Sequence, residues 1–222
     1  MWRDAVVVGG KDLRVEMHSR VTTTQVAPYA ILVLLLFGFA FDQNHAILSQ
    51  AAPGLFWMAV LLCSMLAVQR SFALEAADGA RDGLRLSGLD PAGIFLGKAA
   101  AVAVQLLILE VVLGMGIAVL FGTSFHDPAL LVVSAAVATV GLASAGTLYG
   151  MVAAGLRVRE TLLPLLVLPV VAPVLLAATQ AWMAALGLTT ADGWRWLTLL
   201  VSFTAIYVTF GVLSFAILVE EA

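Results

Sequence analysis

The sequence has little charge. Lys, Arg, Asp and Glu make up 11% of its 222 residues, less than half of the share that is usual in soluble domains. Hydrophobic residues make up 62%, and the mean hydropathy is +1.06. A water-soluble domain of this size could not bury so much apolar side chain. The composition therefore excludes a cytosolic enzyme, a nucleic-acid-binding protein and a disordered chain, and it indicates an integral membrane protein.

Residues that carry catalysis or bind metals are also scarce. The single cysteine, Cys63, cannot form an internal disulfide. The three histidines, His18, His45 and His126, lie outside the long apolar runs, and none of these runs contains an Asp. Intramembrane hydrolysis needs a nucleophile beside a base, or paired aspartates. We therefore predict no catalytic site and no metal site. Trp182, Trp194 and Trp196 share the outer side with His45 and His126, and we interpret these tryptophans as membrane-interface anchors.

A nucleotide-binding loop is missing as well. The run GIFLGK at 93–98 is one residue shorter than a P-loop, and Ala99 stands where a Ser or Thr would hold Mg²⁺. We therefore predict that this chain does not hydrolyse ATP by itself.

What the sequence does contain is a series of long apolar runs. A spanning helix needs about 20 mostly apolar residues, and lipid tolerates only helices or closed barrels. The runs do not alternate as barrel strands do. The sequence thus predicts an all-α integral membrane protein, a single transmembrane domain over 1–222 with six transmembrane helices. The predicted spans are approximately 26–41, 51–69, 99–121, 129–155, 162–181 and 196–219.

The distribution of Lys and Arg predicts the orientation. In this arrangement 10 of the 11 basic residues fall on one side of the membrane, and Arg195 alone falls on the other. Because basic residues are enriched in cytoplasmic segments, we expect both termini in the cytoplasm and three short outer loops.

Two segments outside the predicted spans have a pattern of their own. Residues 1–22 mix apolar side chains with charges of both signs, which predicts one or two short interfacial helices with a break at Gly9–Gly10; a simple basic anchor is the alternative. In the connection 70–98, three acids share one face of a predicted helix, and several Gly and Pro residues break it into short pieces. The simplest interpretation of that connection is a solvated loop helix.

Polar and small residues inside the spans raise further possibilities. Glu110 lies in the third span, where a charge costs at least about 2.5–3.5 kcal/mol. It is either functional or a protonated carboxyl bonded to a neighbouring helix, and both remain open. Gly146 and Gly150 allow close helix packing in the fourth span. The fifth span contains three prolines that favour bending, at Pro164, Pro169 and Pro173.

Several of these segments resemble one known family. KDLRVEMHSR at 11–20, APGLFWMAVLLCSMLAVQRSF at 52–72 and the proline-containing region 146–178 are similar to heme exporter protein B, the CcmB family. The F-x-x-E-x-x-D-G run resembles that family's F-x-x-D-x-x-D-G element. Its residues here are Phe72, Glu75, Asp78 and Gly79. The resemblance extends over nearly the whole chain.

This resemblance implies a permease subunit of a type-two ABC exporter in the bacterial inner membrane, without a catalytic site of its own. By implication, a separate CcmA-like ATPase binds ATP, and a CcmC-like haem-handling membrane protein and a second copy of the chain complete the complex. Haem, or a haem-loaded chaperone that is released, is the expected cargo of c-type cytochrome biogenesis. Alternatives are a permease for a drug or lipid and a scaffold that transports nothing.

The resemblance also implies roles for individual segments. Residues 70–98 would hold the coupling helix, with Phe72 as a hydrophobic knob in the ATPase groove. Glu75 and Asp78 would meet the charged rim of that groove, and Gly79 would allow the turn. Residues 1–22 would form the interfacial elbow helix.

Overall fold

The fold is built from helices. A computed structural model describes residues 1–19, 27–40, 45–77, 88–121, 125–154 and 159–221, and within these ranges it contains seven helices and no strand. The helices are α1 (Trp2–Ser19), α2 (Ala27–Ala40), α3 (His45–Ala77), α4 (Pro91–Phe121), α5 (Pro128–Ala154), α6 (Arg159–Ala185) and α7 (Gly193–Glu221).

Five of these helices, α3 to α7, are long and apolar enough to cross a membrane. They match the second to sixth predicted spans. The first predicted span, 26–41, corresponds to α2, which has 14 residues and a length of about 21 Å at 1.5 Å per residue. That length is less than the thickness of a hydrocarbon core, about 30 Å. Within the part of the chain that it describes, the structure therefore gives five helices that are long and apolar enough to span a membrane and one shorter apolar helix.

Asp-Pro pairs begin two of the spanning helices. Asp90 precedes Pro91 at the start of α4, and its Oδ1 accepts a hydrogen bond of 3.1 Å from the amide of the second residue after it. Asp127 precedes Pro128 at the start of α5, and its Oδ1 accepts a hydrogen bond of 3.0 Å from the amide of the third residue after it. The aspartates satisfy amides that lack a helical partner, and proline has no amide to leave unsatisfied.

The boundaries of the connection 70–98 differ from the prediction. Residues 70–77 are the last turns of α3, and residues 91–98 are the first two turns of α4. Only 78–90 separates the two helices, and most of it, 78–87, lies outside the described residues. The apolar runs underestimated the lengths of both helices. Phe72 near the end of α3, and Ile94, Phe95 and Lys98 near the start of α4, are buried in protein, so packing stabilises the helix ends beyond the apolar runs.

The predicted break in the N-terminal segment is wrong. Helix α1 continues through Gly9 and Gly10 from Trp2 to Ser19. Glycine lowers helix stability by about 1 kcal/mol relative to alanine. Here Gly9 is buried against α4, so that tertiary contact offsets the low intrinsic helix propensity.

Helix α5 lies at the centre of the bundle. It packs against α3, α4, α6 and α7, and residues 141–148 are all buried. Small residues allow this crowding. A Cβ atom added to Gly146 would lie 2.8 Å from Cγ2 of Val68 on α3, and one added to Gly150 would lie 2.8 Å from Cδ2 of Phe72. The two glycines therefore set the close approach of α3 and α5.

Candidate functional site

A cluster of charged residues and glycines is buried where α1 crosses the ends of α3 and α4. We call this region the junction; it comprises residues 1–16 of α1, residues 70–72 of α3 and residues 90–98. The junction borders the connection between α3 and α4 on both sides. It is therefore the part of the described structure through which a movement of that connection would reach the bundle.

The backbones of α1 and α4 touch at the junction. A Cβ atom on Gly97 would lie 2.6 Å from the carbonyl oxygen of Ala5, and one on Gly9 would lie 2.9 Å from the carbonyl oxygen of Gly97. One turn earlier, a Cβ atom on Gly93 would lie 2.7 Å from the carbonyl oxygen of Met1. Spacing small residues four apart allows such close helix contacts. A side chain at any of these glycines would separate the two helices.

A buried lysine joins three helices at the junction. Lys98 of α4 is 2% exposed, and its Nζ lies 3.5 Å from Oδ2 of Asp12 on α1. The same Nζ lies 4.9 Å from the centre of the Phe72 ring on α3. A buried cation requires such partners, because its desolvation is expensive. Lys98 therefore links α1, α3 and α4.

A second ion pair links α1 to α3. Nε of Arg70 lies 3.7 Å from Oε2 of Glu16, and both side chains are largely buried. Residues 12 and 16 are one turn apart on α1 and lie on the same helix face. Helix α1 thus contacts the last turns of α3 and the first turns of α4, the two helices that flank residues 78–90.

The first turn of α1 is also attached to the start of α4. Oδ2 of Asp4 accepts a hydrogen bond of 3.4 Å from the amide of Asp90. The ammonium group of Met1 lies 3.0 Å from Asp4 and 3.3 Å from Asp90. Hydrogen bonding to that ammonium group lowers the pKa of the Asp4 carboxyl. The residue that caps α4 therefore also contacts α1.

The structure describes the four predicted coupling residues to different extents. Phe72 is buried, packed on Gly150 and beneath the Lys98 ammonium group. Its side chain is part of the core in this conformation and is not presented to a partner. Glu75 lies in the last turns of α3, and its side chain is outside the described atoms. Asp78 and Gly79 lie outside the described residues, so their roles stay predictions.

Glu110 has a partner on the neighbouring helix. Its side chain is 6% exposed, and its Oε1 lies 2.5 Å from Oγ1 of Thr139 on α5. The same Thr139 oxygen lies 2.8 Å from the carbonyl of Ala135. Thr139 has a single hydroxyl hydrogen, so a protonated Glu110 would supply the second one. The carboxyl is thus bonded to a neighbouring helix through Oε1, whereas its buried Oε2 has no hydrogen-bond partner among the described residues. The structural and the functional alternatives for Glu110 both stay predictions.

The proline-containing helix α6 is continuous and is held by α7. The Tyr207 hydroxyl donates a hydrogen bond to the carbonyl of Val170, three residues before Pro173. Pro173 has no amide to donate to the carbonyl of Pro169, so the Tyr207 bond attaches α6 to α7 one residue after that gap. Pro169 lies about one turn, and Pro164 about two and a half turns, nearer the start of the same helix than Pro173.

Aromatic residues near the other ends of α3 and α6 form a compact cluster. The rings of Phe56 and Trp182 stack with centroids 4.0 Å apart, and Trp57 packs against both. The interpretation of Trp182 as an interface anchor is therefore wrong, because the side chain is 4% exposed. His126 is exposed. His45 begins α3, and its side chain is not described. Over the described ranges, no cluster of metal-binding side chains occurs.

The sequence contains a signal for the junction in two pairs of small residues. Gly93 and Gly97 are four residues apart, and Ala5 and Gly9 repeat that spacing on α1. Such pairs are typical of helices that approach closely. Lys98 was interpreted as a basic residue that helps to orient the chain. A lysine beside an apolar run can equally be the buried partner of an acid.

The fold and the junction define a class: a multi-pass helical membrane protein whose N-terminal helix is fixed to the ends of two spanning helices. Comparison with known proteins identifies the family. The family model described as CcmB protein matches residues 4–221, and the chain belongs to this family. The resemblance found in the sequence is thereby confirmed.

Individual relatives agree with the family match. The chain is 32% identical over 178 residues to heme exporter protein B of Paracoccus denitrificans, covering 77% of this chain and 78% of the relative. It is 29% identical over 177 residues to heme exporter protein B of Rhodobacter capsulatus, with 77% and 78% covered. The match to heme exporter protein B of Escherichia coli K12 is 30% over 90 residues, covering 40% of this chain and 41% of the relative.

Proposed function

We propose that this chain is the permease subunit of an ABC transporter complex that acts in haem export or haem-chaperone release during c-type cytochrome biogenesis. The family match and the name of its relatives, heme exporter protein B, support this function. ATP hydrolysis is assigned to a separate CcmA-like ATPase subunit. A CcmC-like haem-handling membrane protein and a second copy of the chain are the other proposed partners.

The proposal includes a topology. Helices α2 to α7 form six spans, with both termini in the cytoplasm and the protein in the bacterial inner membrane. The apolar composition of α2 and the one-sided distribution of basic residues support this arrangement. It puts the junction and the connection between α3 and α4 on the cytoplasmic side, where an ATPase can reach them.

The observation that carries the mechanism is that α1 holds together the two helix ends that flank the connection. Lys98 attaches α1 to α4, and Arg70 attaches it to α3. A partner that pushes on residues 78–87 would therefore move α1 and both helix ends as one unit. Val68 and Phe72 of α3 fit closely against the glycines of α5, so a movement of the end of α3 would be passed to α5 and shift it between two packings. We assign Glu75, Asp78 and Gly79 to contact with the ATPase.

Phe72 receives a different role in this mechanism. Because its ring packs between Gly150 and Lys98, it would transmit movement from the end of α3 to α5 rather than enter a groove on the ATPase. Replacing Phe72 would consequently disturb the bundle itself. A test of ATPase contact should use the acidic residues instead.

The first experiment tests the cargo pathway. The gene is deleted in its own host, and c-type cytochromes are detected by the peroxidase stain for covalently attached haem. We expect their loss, and their return when the wild-type gene is supplied. Normal c-type cytochromes after deletion would contradict the proposal and would favour a permease for a drug or lipid. A complex in which ATP changes no distance across α5 and α6 would instead favour the scaffold.

The second experiment tests the ATPase contact. Asp78→Lys is compared with Asp82→Lys, which reverses a charge in the same connection but outside the F-x-x-E-x-x-D-G run. We expect both variants to insert normally and only Asp78→Lys to lose the ATPase on co-purification. Equal yields of ATPase with both variants would show that Asp78 does not contact it.

A further inference from the structure

The acids of helix α1 lie toward the bundle, whereas three of its bases are exposed. The side chains of Asp4, Asp12 and Glu16 are 23%, 13% and 11% exposed, and each is paired within the junction. By contrast, Arg3, Lys11 and Arg14 are exposed. The three acids of α1 therefore all have partners at the junction, and Asp12 also pairs with the exposed Lys11 at 2.9 Å. The outward face of α1 is basic at Arg3 and Arg14, although the helix as a whole carries both signs.

An apolar stripe runs beside these bases. Trp2, Val6 and Met17 are 73%, 74% and 76% exposed. At about 100° per residue, these three side chains lie within roughly 60° of one another, and Arg3 and Arg14 lie within roughly 20° of each other next to them. A stripe of large apolar side chains bordered by Arg is typical of a helix in the membrane interface. No contact inside the described chain covers this stripe.

The position of α1 gives this face a particular neighbour. Helix α1 packs against the first two turns of α4, and the apolar span of α4 begins at Pro91. The outward face of α1 thus lies at the end of a span, where headgroups begin. Phospholipid offers both chemistries that the face requires, acyl chains for the apolar stripe and negative charge for the arginines.

We propose that the outward face of α1 binds anionic phospholipid, with headgroups at Arg3 and Arg14 and acyl chains against Trp2, Val6 and Met17. This inference goes beyond the transport role, because it makes the position of α1 depend on the lipid composition of the membrane. Since α1 holds the ends of α3 and α4, the bound lipid stabilises the junction from outside.

The test uses the full chain in nanodiscs of phosphatidylcholine with or without phosphatidylglycerol. A spin label on Val6→Cys reports immersion through its accessibility to oxygen and to a water-soluble nickel chelate. Native Cys63 is 1% exposed, and the unsubstituted protein checks that it stays unlabelled. Native mass spectrometry of the same samples counts the phosphatidylglycerol molecules retained. We expect deeper immersion and selective retention with phosphatidylglycerol.

Arg3→Gln/Arg14→Gln is the decisive variant. Each basic residue beside an anionic surface contributes about fivefold to binding, so the double variant should reduce the preference for phosphatidylglycerol roughly 20-fold. The control is Arg195→Gln, which removes an 87% exposed arginine side chain at the start of α7 and should leave the immersion of the label unchanged.

Two results would overturn the proposal. In the first, the double variant keeps the wild-type lipid preference and label depth. In the second, the label in wild type is shielded from both reagents only when the ATPase or another subunit is bound, whatever the lipid. That second result would make the outward face of α1 a protein contact instead.

Discussion

Two regions of the molecule hold helices together by different chemistry. At the junction, α1 is attached to α3 and α4 by ion pairs and by backbone contact at glycines. Between α5, α6 and α7 the polar contacts are uncharged. There the Thr204 hydroxyl donates to the carbonyl of Val137 at 3.2 Å, and the Tyr207 hydroxyl donates to that of Val170.

The difference follows from the surroundings. The junction lies at the ends of spans, where charged groups keep some contact with water, whereas an ion pair at the bilayer centre would have to be desolvated completely. Hydroxyl donors avoid that cost, and each contributes only about 0.6 kcal/mol on average. We therefore expect single substitutions to affect the junction strongly and the α5–α6–α7 contacts weakly.

The largest effect is expected at Asp12. Asp12→Asn removes the carboxylate whose Oδ2 lies 3.5 Å from the Nζ of the buried Lys98, and removing one member of a buried ion pair costs about 3–5 kcal/mol. Because Asp12 is 13% exposed, we expect the lower end of that range for the loss in free energy of unfolding. The measurement is an SDS titration in mixed micelles. Asp12→Asn/Lys98→Met should recover part of the loss, since the buried ammonium charge is then absent as well.

An exposed ion pair provides the control for Asp12. Nε of Arg195 lies 3.4 Å from Oδ2 of Asp192, and the two side chains are 87% and 53% exposed. Such exposed pairs contribute about 0–1 kcal/mol to the free energy of unfolding. Asp192→Asn also affects the cap of α7, so Arg195→Gln is the cleaner comparison. If Asp12→Asn were as mild as Arg195→Gln, the junction would not depend on its charges.

Two adjacent glycines test the backbone contact. A Cβ atom on Gly9 would meet the carbonyl of Gly97 at 2.9 Å, whereas one on Gly10 would meet nothing within 4 Å. Gly9→Ala should therefore destabilise the protein by about 1–3 kcal/mol through overpacking. Gly10→Ala should stabilise α1 by about 0.5–1 kcal/mol, because alanine is the better helix former. Equal effects of the two substitutions in the same titration would show that α1 does not touch α4 at Gly9.

A smaller effect is expected at Tyr207. Tyr207→Phe removes the hydroxyl that bonds the Val170 carbonyl and should lower the free energy of unfolding by about 0.6 kcal/mol, and by no more than about 1.7. Tyr29→Phe on α2 is the matched control, because Tyr29 is exposed and the change should be neutral. A loss for Tyr207→Phe as large as that for Asp12→Asn would contradict the contrast between the two regions.

The same contrast explains what could be predicted from the sequence. The spanning helices were predictable because lipid imposes one requirement on every span, a long apolar run, and five such runs coincide with α3 to α7. The family was predictable from local runs such as 52–72. The three prolines of α6 were also visible as residue types, and their bending of the helix stays a prediction.

The junction was not predictable in the same way. Whether Gly9 interrupts a helix or lies against another backbone depends on a partner about 90 residues away along the chain, and a local pattern does not contain that partner. From the sequence, Lys98 was interpreted as a charge that orients the chain, but in the structure it lies beside Asp12 and Phe72. Trp182 was interpreted as a membrane-interface anchor, but its ring stacks on Phe56. In each case, tertiary packing assigned the residue a role that its type and position alone leave open.

The smallest expected effect concerns Glu110, and it decides between the two interpretations that the sequence left open. Glu110→Gln keeps a donor and an acceptor beside Thr139, so the free energy of unfolding should change by less than about 0.5 kcal/mol. Thr139→Val removes the partner and should cost about 0.6 kcal/mol. If Glu110 is structural, c-type cytochromes form normally with Glu110→Gln. If Glu110→Gln is stable but abolishes c-type cytochromes, the carboxyl has a function that an amide cannot replace. Glu110 would then be an exception to the uncharged contacts found elsewhere inside the spans.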